Sequence, residues 1–203
     1  SDKVNKDIMD MVSRDGKFYM VPTTAYAMGL LANMNLLRET GYVDENDNPV
    51  LPKTYDELTQ FAQTITEKTG KGCNNGTEKT GKAGFIMPTN SNSGGWHFTM
   101  IAWANGVNFM ENTDGKWKAT FNTPECVKTL QWIKDLKWKY HTLNSNILID
   151  NAEMQKLFAT DQGAFYLAAQ PDNSFFINYG MSKDDIAMGS IPAGSAEHVT
   201  LMG

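Results

Sequence analysis

The sequence has little cysteine, no long apolar stretch and no excess of positive charge. Cys73 and Cys126 are the only cysteines in 203 residues, and we interpret them as incidental thiols because two cysteines cannot form a disulfide framework. Apolar runs such as residues 25–32 are far shorter than the roughly 20 residues that cross a bilayer. Eighteen Lys and Arg against 23 Asp and Glu give a net charge of -5, so we expect no nucleic-acid partner and no direct membrane insertion of this segment.

Motifs for catalysis, phosphate binding and metal binding fit the chain poorly. Residues 76–83 resemble a P-loop, but Ala83 stands where Ser or Thr would hold magnesium. Residues 44–55 begin like a calcium loop, but Pro49 replaces the turn glycine and Tyr55 the final glutamate. No metal-ligand spacing relates the histidines, which are His97, His141 and His198. We therefore expect no cofactor, no metal site and no catalytic residue, and hence a protein that is not an enzyme.

Predicted strands and helices alternate along the chain, which indicates an α/β fold. Short apolar stretches predict strands at residues 18–21, 84–87, 164–168 and 186–191. Capping residues predict helices that begin at Asn33, Thr54, Thr123 and Asp150. We also expect a small-residue loop at 89–95 before a helix that ends near Ala104, and a hairpin with its turn at 113–115.

Aromatic and amide side chains occur together in several polar segments. The chain has eighteen Asn, of which many serve turns and caps, and aromatic residues make up 11% of it. Sugars bind to such pairs, because a sugar ring stacks on an aromatic face while amides bond its hydroxyls. Trp96 follows two glycines at a loop-to-helix junction, and we predict that it contacts a ligand. Core packing or filling of a helix face is our interpretation of Trp103, Trp132 and Trp138.

Several motifs, in order along nearly the whole chain, resemble those of one family. D-G-K-F-Y-M-V-P at 15–22 and L-L-A-N-M-N-L-L at 30–37 are similar to D-G-K-x-Y-x-x-P and Y-N-K-x-L. P-K-T-Y-D-E-L at 52–58, F-N-T-P-E at 121–125 and F-A-T-D-Q-G-A-F at 158–165 resemble P-K-T-W-D-E-L, F-N-S-P-E and F-x-x-G-x-A-A-M. The chain thus resembles the extracellular solute-binding proteins of bacterial ABC importers, the group that includes maltose-binding protein.

The resemblance implies a lobe of the type II periplasmic-binding-protein fold, with a mixed sheet flanked by helices and two hinge-crossing strands. Residues 1–23 would end a first lobe and enter the hinge, residues 24–188 would form the second, inserted lobe, and residues 189–203 would return to the first. The rest of the first lobe and the closing helices would be absent. We further expect the crossings at 23–26 and 188–191 to pair as an antiparallel ribbon.

The resemblance also implies a function. A non-catalytic binding protein would hold a sugar or oligosaccharide between its lobes and deliver it to the membrane permease of an ABC importer. It would be extracytoplasmic, periplasmic or a cell-surface lipoprotein, with its signal peptide outside this fragment. Two alternatives stay open: a solute-sensing ectodomain component of a signalling system, and a hydrolase that uses carboxylates.

The candidate ligand-binding residues come from positions similar to those of the family. Tyr26 lies on the first crossing, and Trp96 and His97 lie where a helix is expected to face the ligand. The others follow the strand at 164–168: Gln170, Asp172 and Asn173. Many members have a sugar-stacking Trp there, but this chain has none. Asp172 or Asn173 would bond sugar hydroxyls instead, or Asp172 would only cap the next helix.

Overall fold

The structure is a computed structural model that describes residues 5–70, 82–169 and 173–196. Its helices, in chain order, are α1 (Lys6–Met11), α2 (Met34–Thr40), α3 (Tyr55–Lys68), α4 (Ser91–Ala104), α5 (Pro124–Trp138), α6 (Asn151–Ala159) and α7 (Asn173–Asn178). Its strands are β1 (Ser13–Arg14), β2 (Lys17–Phe18), β3 (Met28–Asn33), β4 (Ala83–Phe85), β5 (Met110–Thr113), β6 (Lys116–Ala119), β7 (Gly163–Ala169) and β8 (Ile186–Gly189). The predicted α/β fold is confirmed.

The central sheet has the strand order β4-β7-β3-β8. β7 runs parallel to β4 and antiparallel to β3, and β3 pairs antiparallel with β8. The sheet is therefore mixed, as expected. Two small hairpins, β1–β2 and β5–β6, lie outside it.

Both faces of the central strands are buried by helices. Leu30 and Leu167 belong to a core cluster shared with α2, α3, α4 and α5. Leu31 and Tyr166 belong to the cluster formed with α6 and α7. Because neighbouring strand residues point to opposite faces, an apolar run without alternation is what a strand covered on both sides requires. This explains the uninterrupted apolar character of β3 and β7.

Most predicted helix ends are confirmed. Gly41 ends α2 in the left-handed conformation with φ 82°, and Pro124 follows the Thr123 cap of α5. Asp150 and Glu153 form a complete capping box at α6. At α3, the Thr54 hydroxyl accepts a hydrogen bond from the Glu57 N–H at 3.1 Å. In a capping box the Glu57 carboxylate would accept a hydrogen bond from the N–H of the cap residue Thr54. Here it accepts instead from the N–H of the preceding residue, Lys53, at 2.7 Å.

The prediction of a loop at residues 89–95 is wrong, because α4 already begins at Ser91. Gly94 lies so close to the preceding chain that a Cβ would stand 2.7 Å from the Thr89 carbonyl carbon. Glycine therefore lets the first turn of α4 pack against Thr89. This packing outweighs the low helix propensity of glycine, which misled the prediction.

All four predicted strands have different bounds in the structure, where those expected at 84–87, 164–168 and 186–191 are Ala83–Phe85, Gly163–Ala169 and Ile186–Gly189. The strand expected at residues 18–21 ends at Phe18, and Val21, just before Pro22, is 84% exposed. No strand pairs with residues 19–21 in the part of the chain that the structure describes. The hairpin forms as expected, but it is shorter: Met110 pairs with Ala119, and Asp114 and Gly115 make the turn at φ 52° and 79°.

The antiparallel pairing of the crossing segments occurs later in the first segment than expected. Residues 23–26 form no strand, and the ladder runs from Leu30 opposite Gly189 to Asn33 opposite Ile186. In this register Ala27 would stand opposite Pro192, which has no N–H group to donate to a ladder. Whether these segments form a hinge stays a prediction.

Some sequence features fall wholly or partly outside the described residues. They are Cys73, most of the stretch at 76–83, Gln170, Asp172 and His198.

Two other features noted in the sequence lie in the described part of the chain. Cys126 is a buried free thiol. The acidic loop at 44–48 closes on itself, since the Asp44 carboxylate accepts bonds from the Asn46 and Asn48 N–H groups at 2.9 and 2.8 Å.

Asn33 joins the end of β3 to the chain before β7. Its Oδ1 accepts from the Leu36 N–H at 3.2 Å and caps α2. Its Nδ2 donates to the Phe158 carbonyl at 3.2 Å and to the Asp161 carboxylate at 2.7 Å. The side chain is fully buried, so loss of these bonds would leave polar groups unsatisfied.

We predict that Asn33→Ala lowers the free energy of unfolding by about 2–3 kcal/mol, because a cap and two buried hydrogen bonds are lost. Urea denaturation followed by circular dichroism measures this change. Asn35→Ala is the control, since Asn35 makes only longer bonds to Asp161, at 3.3 and 3.4 Å. Equal losses in both variants would show that Asn33 has no special role.

Arg38 links α2 to the loop at 44–48 and to the 3₁₀ helix Lys183–Asp185. Its guanidinium donates to Asp47 at 2.8 and 3.0 Å and to Asp185 at 2.8 Å. These bonds hold the pKa of Asp47 below its usual range. A lowered pKa in the folded state means that the stabilisation is complete above the unfolded pKa of about 3.9 and is lost as the pH falls through the folded pKa.

We therefore predict that Asp47→Asn flattens the fall in melting temperature as the pH drops below about 4. The asparagine cannot titrate, so the stabilisation it retains does not depend on pH. Thermal denaturation between pH 7 and pH 2 (roughly the range that spans both pKa values) checks this, with Asp114→Asn in the β5–β6 turn as the control. A profile for Asp47→Asn that parallels the parent protein would contradict the prediction.

Candidate ligand-binding site

A pocket lies at the edge of the sheet where β3 begins and β7 ends. The two ends meet because the strands are antiparallel, with Met28 opposite Ala169. The start of α4 reaches the same edge, since α4 follows β4 and β4 runs parallel to β7. The pocket has a volume of about 430 Å³ and is lined by Tyr26, Met28, Asn92, Ser93, Trp96, His97, Asn151, Tyr166, Leu167 and Ala169.

The pocket combines aromatic rings with neutral polar groups. Trp96 is 40% exposed although it is a large apolar residue, and Tyr26 also lines the pocket. Asn92, Ser93 and Asn151 supply amides and a hydroxyl, which both donate and accept hydrogen bonds. No carboxylate, ammonium or guanidinium group occurs among the described lining residues. This chemistry suits a neutral, hydroxylated ligand.

His97 fastens α4 to β7. The ring is buried, and its Nδ1 and Nε2 lie 2.7 Å from the carbonyl oxygens of Ser93 and Leu167. Carbonyl oxygens only accept, so the ring nitrogen that carries the proton donates to its carbonyl, and the tautomer decides which of the two it is. The ring also lies nearly parallel to that of Tyr166, at an interplanar angle of 22° and a centroid distance of 6.2 Å. His97 thereby fixes the position of the neighbouring Trp96.

Three of the predicted ligand-binding residues meet at this pocket, namely Tyr26, Trp96 and His97. Asn173 is the first residue of α7, and its Oδ1 is buried without a hydrogen-bond partner among the described residues. Gln170 and Asp172 lie outside the described part of the chain. Direct contact between any of the six and a ligand stays a prediction.

Comparison with known families agrees with this arrangement. The family described as bacterial extracellular solute-binding protein matches residues 1–201. The chain belongs to this family. The resemblance found in the sequence motifs is thereby confirmed, and the family consists of binding proteins.

Solved structures of solute-binding proteins share the fold. A solute-binding protein of an ABC transporter from Thermotoga lettingae, bound with alpha-D-tagatose, is 20% identical with a TM-score of 0.79, over 100% of this chain and 48% of that one. The cyclic alpha-maltosyl-1,6-maltose binding protein from Arthrobacter globiformis is 25% identical with a TM-score of 0.70, over 100% and 46%. UgpB from Mycobacterium tuberculosis, in complex with glycerophosphocholine, is 16% identical with a TM-score of 0.75, over 98% and 46%. The chain spans about half the length of these proteins.

Several lining residues of this family member were not found as site residues from the sequence. Asn151 is the first residue of α6, and its Oδ1 accepts a long bond of 3.5 Å from the Tyr166 hydroxyl. Tyr166 lies in the middle of β7, where the sequence indicates only core. The capping box at Asp150 locates the start of α6, but only the folded chain shows that this start borders the end of β7. Asn92 and Ser93 lie in the segment that was assigned to a loop, and neither was selected as a site residue.

The carboxylates of the described residues offer no support for hydrolysis. Asp56 and Glu125 line one cavity of about 290 Å³, away from Trp96. The pKa of Glu125 is lowered, chiefly by its backbone N–H and by the Thr123 hydroxyl. A carboxylic acid that donates a proton needs a raised pKa instead.

No group of His, Cys, Asp or Glu in the described residues is placed to hold a metal ion. None of the described helices is long and apolar enough to span a membrane.

We predict that His97→Phe lowers the free energy of unfolding by about 1–3 kcal/mol, because a ring remains but the hydrogen bonding of the ring nitrogens to the Ser93 and Leu167 carbonyls is lost. Denaturation in urea measures this. Thr99→Val is the control on the same helix, since it removes one bond, from the Thr99 hydroxyl to the Gly95 carbonyl at 2.8 Å, near the surface. A loss for His97→Phe no larger than for Thr99→Val would contradict the role of His97 as an anchor.

Proposed function

We propose that this family member is the second lobe of a two-lobed solute-binding protein, with residues 24–188 as the lobe. Residues 1–23 and 189–203 would connect it with the first lobe. One observation supports the boundary at the amino-terminal side: four consecutive apolar residues are 62–84% exposed, namely Phe18, Tyr19, Met20 and Val21. Such a run is unusual on the solvent-exposed surface of a folded protein, and it fits a segment that packs against another part of the protein.

The ligand that fits the pocket best is a sugar or oligosaccharide. The observation that carries this proposal is the exposed Trp96 ring beside Asn92 and Asn151, in a pocket whose described lining has no charged group. An aromatic face stacks on the apolar face of a sugar, and amides bond its hydroxyls as donors and as acceptors. Neutral lining avoids the cost of burying an unpaired charge against an uncharged ligand.

We assign the residues the following roles. Tyr26 and Trp96 contact the ligand. His97 keeps the neighbouring Trp96 in position, because its ring nitrogens contact backbone carbonyls of α4 and β7. Asn173, together with Gln170 and Asp172 from the connection after β7, completes the site with polar groups. The ligand lies between this wall and the wall that the first lobe supplies.

The proposed protein acts without catalysis. It captures its ligand outside the cytoplasm, in the periplasm or as a cell-surface lipoprotein, and delivers it to the permease of an ABC importer. Closure of the two lobes around the ligand is the signal that the permease would recognise. A sensor ectodomain would use the same closure to report the solute to a signalling partner, so the partner protein distinguishes the two roles.

Titration calorimetry tests the ligand class, using the two-lobed protein that contains this chain and a panel of mono- and oligosaccharides. We expect one sugar to bind with a Kd of about 1 μM, or roughly -8 kcal/mol. Trp96→Ala should weaken binding by about tenfold or more, because the stacking surface is lost. Trp138→Ala, which removes an exposed Trp from α5, is the control and should bind as the parent does.

Two results would contradict this proposal. If no sugar binds, the carbohydrate assignment fails, and polar solutes such as glycerophosphocholine are the next to test. If a sugar binds but Trp96→Ala and Trp138→Ala behave alike, the site lies elsewhere.

A further inference from the structure

The solvent-facing stripe of α4 is unusual in composition. Its members recur at helical spacing along one side of the helix, and we call them the α4 stripe: Asn92, Gly95, Trp96, Thr99 and Trp103. A helix that covers a core normally carries charged residues on its solvent side. The α4 stripe has none, and two of its five positions are tryptophan.

Trp103 repeats the position of Trp96 further along the helix. Seven residues are nearly two turns of an α-helix, so the two indoles lie on the same side and are separated by about 10 Å along the axis. Trp96 is 40% exposed and Trp103 is 37% exposed. The interpretation of Trp103 as core or face filling therefore does not account for its exposure, which is more than a third of the residue's surface.

The indole of Trp103 is held in place from the side. It meets the ring of Phe109 edge to face, at a centroid distance of 6.2 Å and an interplanar angle of 74°. Phe109 is in turn packed against Phe98 and Phe121 at 6.2 Å each. These contacts restrain the indole while one part of it faces solvent. A restrained, exposed ring loses little entropy when a ligand stacks on it.

The stripe surface between the two tryptophans is neutral and carries one small side chain. Thr99 is the stripe residue between them, and its hydroxyl donates a hydrogen bond to the Gly95 carbonyl at 2.8 Å. On the other side of Trp96, Gly95 has open space where a Cβ would stand, with no atom within 4 Å. No bulky or charged side chain of the stripe therefore separates the pocket from Trp103.

We propose that the ligand is an oligosaccharide whose chain leaves the pocket along the α4 stripe and stacks on Trp103 as well as on Trp96. This inference rests on the proposed function, since it begins from a sugar in the pocket. The pocket and the stripe are continuous, because Asn92 and Trp96 belong to both. Alternating aromatic and small polar positions match the apolar faces and hydroxyl rims of successive sugar units.

The test compares affinities by titration calorimetry on the two-lobed protein, with glucose and xylose against maltotetraose, cellotetraose and xylotetraose. We expect Trp103→Ala to weaken binding of the preferred tetrasaccharide by about tenfold, and to leave the matching monosaccharide within about twofold. Trp103→Tyr should keep most of the affinity, because its ring still stacks. Trp103→Leu should behave like Trp103→Ala, because an apolar side chain without a ring does not stack.

Each result decides between the proposals. If sugars bind, but Trp103→Ala changes no affinity, or changes the affinities for mono- and tetrasaccharide equally, the extended site is wrong while the proposed function stands. If Trp103→Leu binds the tetrasaccharide as the parent does, the stripe does not stack on sugars. If no sugar binds to the parent protein, both proposals fail. Trp138→Ala is again the control for loss of an exposed tryptophan.

Discussion

The antiparallel pairing of β3 with β7 is the constraint on which the other features depend. Its register places Met28 opposite Ala169 and Leu31 opposite Tyr166, so the beginning of one strand and the end of the other share an edge. A slip by one residue would exchange the two buried faces of β3. It would also move the β7 carbonyl that His97 contacts. Because both faces are covered by helices, such a slip would disrupt packing on both sides of the sheet. The register that prevents it also fixes the strand ends that line the pocket.

The start of α4 illustrates how packing overrides local preference. Gly94 and Gly95 are poor helix formers, yet one permits close contact with Thr89 and the other keeps the helix surface low beside Trp96. His97 then binds the helix to the sheet through the Leu167 carbonyl. Gly94 thus weakens α4 as an isolated helix, yet it lets the first turn of the helix pack against Thr89. This exchange of local stability for position is typical of binding sites.

The sequence allowed prediction of features that depend on neighbours along the chain. Caps such as Asp150 and Gly41, the α/β alternation and the hairpin turn at Asp114 have local causes, and the structure confirms them. Trp96 could be selected for the same reason, from its place after two glycines. Asn151 and Tyr166 could not be selected, because their meeting depends on the approach of α6 to β7 across the sheet edge. The early start of α4 was missed for a related reason, since only the contact of Gly94 with Thr89 explains it.

A pocket at the edge of a sheet presents one wall to a ligand, and this limits what a single lobe achieves. Association costs several kcal/mol in lost translation and rotation, and contacts from one wall repay only part of that cost. A second wall that closes over the same ligand adds contacts without a second association cost. The ligand then favours the closed state by the difference between the two sets of contacts. In the proposed protein, closure of the cleft would bury the exposed face of Trp96. The exposure of Trp96 in this lobe therefore fits its proposed role in contacting the ligand.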